Sequence, residues 1–123
     1  MSEKEKSVRK EITKILIELG IPLNLQGFHF FRECVVKVVY DPTMMRNVTK
    51  VLYPEVGSMF EVAGSVVERS MRHASEIGFT KTKFKPIKRI FNIEEYDCNY
   101  KLTNSELIAM LAEYIRVDMD DVI

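Results

Sequence analysis

The stretch 53-YPEVGSMFEVAGSVVERSMRHASEIGF-79 decides the fold, because it reads as two short helices joined by a tight turn, the second carrying arginines. Pro54 suits the first position of a helix, where its missing N–H costs nothing, and Val56, Met59 and Phe60 follow as an inward face. Gly57 is small where the second helix must cross closely. After Glu61 to Gly64, Ser65 is a candidate N-cap, and Val67, Met71, Ala74 and Gly78 recur at helical spacing as the packed face. Glu68, Arg69, Arg72, His73 and Glu76 are left outward. Such a layout is that of a helix-turn-helix, whose second helix enters a DNA major groove.

The outward face has a chemical meaning in that setting. An arginine fork pairs with O6 and N7 of guanine, and a carboxylate accepts from N4 of cytosine. Glu68, Arg69 and Arg72 are therefore candidate base readers with a preference for G·C-containing steps. The plainer reading is that Glu68 and Arg72, four apart, form a solvated intrahelical pair contributing only ~0.3–0.5 kcal/mol.

Working outward, the flanking segments also read as helices. Val8, Ile12, Ile15, Leu16 and Leu19 form an apolar stripe, closed by Gly20 and Pro22. Leu25, Phe28, Phe31, Val35, Val38 and Val39 predict a second helix; its valine-rich end lacks the hairpin chemistry that would make it a strand. Asp41 and Pro42 break it, and another short helix is expected over about 42–47. Pro86 precedes a further short helix at Ile87–Phe91, and Thr103 with Glu106 forms a capping-box sequence. Leu107, Ile108, Met110, Leu111, Tyr114 and Ile115 then give the last helix more apolar surface than one narrow face needs. Core packing accounts for that surface; a second copy covering part of it is the alternative. The expected fold is all-α, a compact bundle of about six helices containing a helix-turn-helix.

Net charge is zero, which by itself argues against a nucleic-acid binder. Its distribution does not. Between residues 69 and 91 seven cations (Arg69, Arg72, Lys81, Lys83, Lys85, Lys88 and Arg89) face only Glu76, a balance of +6. Residues 94–123 hold two cations, Lys101 and Arg116, against eight carboxylates that include Asp120 and Asp121, a balance of −6. One end can meet phosphate while the other repels it. Lys50, Ser65, His73, Lys81 and Lys83 are the candidate phosphate contacts; a merely solvated lysine loop is an equal alternative for Lys81 to Lys88, and a lone exposed lysine such as Lys50 is more often just solvated.

Other classes find little support. No run approaches the ~18–20 apolar residues a membrane helix needs, and no signal-peptide pattern is present. The expectation is a cytoplasmic protein. Cys34 sits in an apolar helical pattern and Cys98 in a polar connection, so both are expected reduced, Cys34 as a buried thiol. There is no CxxC pair, histidine cluster, glycine-rich phosphate loop or nucleophile with a base, and we expect no metal, no cofactor and no enzyme activity.

The chain resembles the C-terminal DNA-binding effector domain of the sporulation response regulator, the stage zero sporulation protein A family. The resemblance lies in GIP at Gly20–Pro22, RE at Arg32–Glu33, VY at Val39–Tyr40 and TKVLYP at Thr49–Pro54. It continues in VERSMRHA at Val67–Ala74, close to the family's VERAIRHA, and in TNSELIAM at Thr103–Met110. It implies a recognition helix over about 65–79 that reads a TGTCGAA-like box in double-stranded DNA. It also implies contact with the RNA polymerase sigma subunit and a homodimer on tandem boxes. Two departures bear on function. Val66 stands where the family usually carries another base-reading arginine, and Glu61 stands in a turn position often held by Gly or Asn because the backbone needs positive φ there. A third is length: 123 residues leave room for one compact domain, expected over 1–123, and none for a receiver domain. The alternative reading is a receiver-less interaction module that binds or antagonises a full-length sporulation regulator or RNA polymerase and reads DNA weakly.

Overall fold

A computed structural model describes residues 1–119; Asp120 and Asp121 of the acidic tail lie outside them. Helix α1 (Glu3–Glu18) starts on Ser2, whose hydroxyl accepts from the Glu5 N–H at 3.1 Å. It ends as the sequence predicts. Gly20 takes φ +83, its N–H bonds the Ile17 carbonyl at 2.9 Å, and the Ile21 N–H reaches the Leu16 carbonyl at 3.1 Å.

Helix α2 (Gln26–Tyr40) is buried along nearly its whole circumference, from Phe28 to Val39, which is why its valine run is helical and central rather than a strand. It packs against α1, α4 (Gly64–Thr82) and α6 (Asn104–Asp118). The α2–α4 crossing leaves no spare room, since a Cβ added to Gly27 would sit 2.2 Å from the Ser70 carbonyl oxygen of α4. The Cys34 Sγ lies 3.8 Å from the Met71 Sδ inside this contact, and burial pushes the Cys34 thiol up to about 12. Glu33 is the charged exception in the core, 6% exposed. Arg9 of α1 bonds it directly, and Arg32 Nε stands 3.7 Å away.

After Asp41 the chain forms a 3₁₀ stretch at Pro42–Asn47 and then a π turn at Val48–Leu52 that runs straight into α3 (Tyr53–Met59). The π turn is not foreshadowed in the sequence. Short α5 (Pro86–Ile90) follows α4, and α6 opens with the predicted capping box: Thr103 Oγ1 accepts from the Glu106 N–H at 3.1 Å, and Glu106 accepts from the Thr103 N–H at 2.9 Å. Met110 and Tyr114 are half-buried against the core, Tyr114 edge-on to Phe91 at 5.6 Å, which favours internal packing for that broad apolar face. All the described helices are α or short 3₁₀ and π segments, and none is long and apolar enough to cross a membrane.

Candidate nucleic-acid interface

The turn between α3 and α4 is built on Glu61. Its φ is +58, and the Val62 N–H bonds the Gly57 carbonyl at 2.9 Å while the Glu61 N–H reaches the Ser58 carbonyl at 3.4 Å. This is the left-handed helix end that glycine usually serves, so a β-carbon here costs ~1 kcal/mol or more of local strain. Phe60 anchors the turn edge-on to Phe30 at 5.1 Å.

Three details differ from the sequence reading. Ser65 does not cap α4: the cap residue is Ala63, with φ −71 and ψ 155 and no side-chain bond, and Ser65 is exposed within the first turn. The helix therefore begins at Gly64 rather than 65 and runs to Thr82 rather than 79. The close helix crossing belongs to Gly64, whose added Cβ would meet Pro54 at 3.0–3.1 Å, whereas Gly57 makes room for the turn, since a Cβ added there would stand 2.4 Å from the Val62 carbonyl oxygen. Met59, expected inward, is 52% exposed, because α3 ends there and its last turn swings off the core.

On α4 the predicted split of faces holds. Val67, Met71, Ala74 and Gly78 are buried, and Arg69, Arg72, His73 and Glu76 are exposed, with Glu68 at the edge. The Arg72 Nη1 donates to Glu68 at 2.6 Å, so the plainer pairing is present in the free protein. Arg69 has no ion-pair partner among the described residues, which leaves its fork free. Val66 is half-buried and offers only hydrocarbon.

Not all candidate phosphate contacts gather around Glu68, Arg69 and Arg72. Ser65 and His73 share the exposed side of α4 with Arg69. Lys50 is exposed on the π turn, next to Thr49, which lines a cleft together with Arg72. Lys81 and Lys83 are elsewhere: at ~1.5 Å per residue the helix carries Lys83 about 27 Å along its axis from Ser65. At ~100° per residue Lys81 lies about 160° around the helix from Ser65, lining a separate hollow with His73 and Glu76. The Lys83 Nζ rests over the Phe79 ring, 4.7 Å from its centroid. The excess positive charge of residues 69–91 is also partly spent, since Arg89 is paired with Glu18 of α1.

Sequence reasoning missed Lys101. The loop before α6 brings its ammonium 2.8 Å from Glu76, which holds the Glu76 carboxyl below its usual range. The Asn104 Nδ2 then donates to the Glu68 carbonyl at 3.1 Å, pinning the start of α6 alongside α4. A cleft of about 450 Å³ results, walled by Thr49 and Tyr53, by Glu68 and Arg72, and by Lys101 to Ser105. Burial raises the Tyr53 phenol, opposed by its neighbours Asn104 and Ser105. The capping box was the one signal in the sequence that α6 starts here; nothing local says that it starts beside α4.

A protein-family model described as Sporulation initiation factor Spo0A C terminal matches residues 12–115. The match runs from the second half of α1 to the last turn of α6 and takes in the whole helix-turn-helix.

Proposed function

Because the chain belongs to the Spo0A C-terminal family, the DNA-binding domain of a sporulation regulator, we propose that α4 reads a TGTCGAA-like box in the major groove through Arg69, Arg72 and Glu68. The observation that carries this reading is the free guanidinium of Arg69 on the exposed face of a 19-residue helix braced against the core through Met71 and Ala74. Arg72, already held by Glu68, is oriented before it meets a base. Ser65, His73 and Lys50 supply sequence-independent phosphate contacts on either side, the usual division between positioning and specifying groups. Val66 cannot donate to guanine, and the loss of one bidentate contact removes about 1–3 kcal/mol of discrimination, so the box is read less stringently than an arginine there would allow. Two boxes would recruit two copies, with the exposed Lys85 and Lys88 segment turned toward the polymerase.

Binding of the purified chain to a two-box duplex and to a scrambled duplex, followed across a salt series, tests the reading. Preference for the boxes that survives moderate salt, and that Arg69→Ala reduces about tenfold or more, is the expected result. Equal, steeply salt-sensitive binding to both duplexes refutes it. The closed Glu68–Arg72 pair, 2.6 Å long, and the zero net charge favour a second reading, an interaction module for a full-length regulator or polymerase. In that case Arg69→Ala leaves partner capture unchanged.

A further inference from the structure

The first turn of α4, Gly64 to Val67, carries no charged side chain. Gly64 is closed against Pro54 and Val67 is buried, which leaves Ser65 and Val66 to meet whatever lies over the start of the helix. We propose that Val66 is a specificity-determining residue of this chain, and that it selects a thymine beside the guanine read by Arg69, through contact with the thymine C5-methyl group. This rests on the DNA-binding reading above and deepens it, giving a base to a position that cannot hydrogen-bond.

The position suits base contact, because the N-terminal residues of a helix seated in the major groove are the ones that touch base edges. At ~1.5 Å and ~100° per residue, Arg69 stands ~4.5 Å further along the axis and ~60° round from Val66. Base pairs repeat every ~3.4 Å, so Val66 meets the pair next to the guanine of Arg69 or the one after it. Glu68 and Arg72, paired at 2.6 Å, occupy the other flank of Arg69, whereas Val66 shares its flank with His73, only ~20° away round the helix.

The side chain is also spare. Val67 and Met71 belong to the buried core and Val62 packs against it, while half-buried Val66 does neither among the described residues. Its chemistry is narrow. With no donor or acceptor, Val66 gains nothing from the polar edges of guanine, adenine or cytosine, which would lose water against it; the thymine methyl is the one alkyl group that the major groove displays. A β-branched side chain is stiff at χ1, so its two methyls make that contact with little rotamer entropy to lose. Such a contact is weaker than a bidentate pair, which keeps the overall stringency below that of an arginine at this place.

The test is a base-by-base scan of the two-box duplex with the purified chain. Each pair of the box is replaced in turn by the other three, and wherever thymine stands it is then replaced by deoxyuridine, which removes only the methyl. Arg69→Ala marks its guanine as the pair whose preference disappears. Expected within about two pairs of it is a position that prefers thymine and at which deoxyuridine binds about three- to fivefold more weakly, the effect of one methyl-sized group. The slope of log K against log salt should stay unchanged there, because no phosphate contact is lost. Val66→Ser, which trades hydrocarbon for a hydroxyl outside the core, is expected to melt within about 2 °C of wild type and to bind thymine and deoxyuridine equally. Equal binding of the two bases by the wild-type chain at every pair near that guanine overturns the proposal, as does a methyl preference that survives in Val66→Ser. The duplex substitutions are read on wild-type protein, so they decide the matter even if Val66→Ser fails to fold. Base preferences without methyl dependence refute this inference and leave box reading standing; no base preference at any pair refutes both.

Discussion

Replacing Gly27 with alanine should loosen the seat of α4. An added Cβ would stand 2.2 Å from the Ser70 carbonyl oxygen, 2.7 Å from the Ala74 Cβ and 2.8 Å from the Ser70 carbonyl carbon, and two of those three atoms are backbone that cannot rotate away. Restoring an ordinary contact means that α4 retreats from α2 by about 1 Å, drawing Met71 and Ala74 out of a close-packed interior. Overpacking of this kind costs ~1–3 kcal/mol, and the backbone clash puts this site at the upper end. Alanine returns ~0.5–1 kcal/mol through its better helix propensity. The net loss is about 2–2.5 kcal/mol, which for a domain of this size lowers the melting temperature by roughly 8–10 °C. Thermal unfolding by circular dichroism reads the first effect, and duplex affinity reads the second, because a shifted α4 moves Arg69 and Arg72 with it. A Gly27→Ala chain that melts at or above wild type and binds DNA equally well would show that the α2–α4 crossing has slack, and the reasoning would fail.

Two further outcomes follow from charged groups. Glu33→Ala strands Arg9 and Arg32, whose side chains are only 22% and 24% exposed, and should cost about 2–4 kcal/mol in urea unfolding; a loss under about 0.5 kcal/mol would mean that the cluster is solvated in solution. The Glu106 carboxyl is held below its usual 4.5 by the Thr103 N–H and then by the Tyr100 hydroxyl, and its contribution is therefore complete above about pH 4.5 and lost as pH falls through its folded value. Glu106→Gln should melt below wild type at pH 7, with the gap closing as the carboxyl protonates on acidification; a gap that widened on acidification would reverse the sign.

The helices were legible wherever burial is one-sided or complete. The periodicity of α1 and of α4, the capping box of α6 and the breaks at Gly20 and Pro42 are local signals, and each lands within a few residues of its helix. Glu61 was legible too, because a turn that needs positive φ announces itself when a residue with a β-carbon occupies the glycine position. What failed were features set by distant partners. Ser65 is a better capping residue than Ala63 on chemistry alone, but the bonds of Val62 and Glu61 to α3 fix where the chain turns upward into α4, and the cap falls two residues earlier. The Arg9–Glu33 pair joins residues 24 apart and Lys101–Glu76 joins residues 25 apart, separations no helical period can report. The same limit hid the cleft: its walls come from three segments, and only the α4 wall was read as a site.

The Thr82 hydroxyl, at the last turn of α4, is shared between the Leu19 carbonyl at 2.9 Å and the Gly78 carbonyl at 3.0 Å, and it accepts from the Phe84 N–H at 3.0 Å. Leu19 is 63 residues away, at the end of α1. A loop of that size must close before the bond can form, so the two ends of α4 depend on different parts of the chain. Its first turns rest on α2 and Asn104 and also on neighbours close in the chain, α3 and the Glu61 turn, whereas its last turn needs the amino-terminal helix to dock. In the language of amide exchange, the expectation is that α4 is not one cooperative segment: the turn that ends at Thr82 opens with α1 before the turns that carry Arg69 and Arg72.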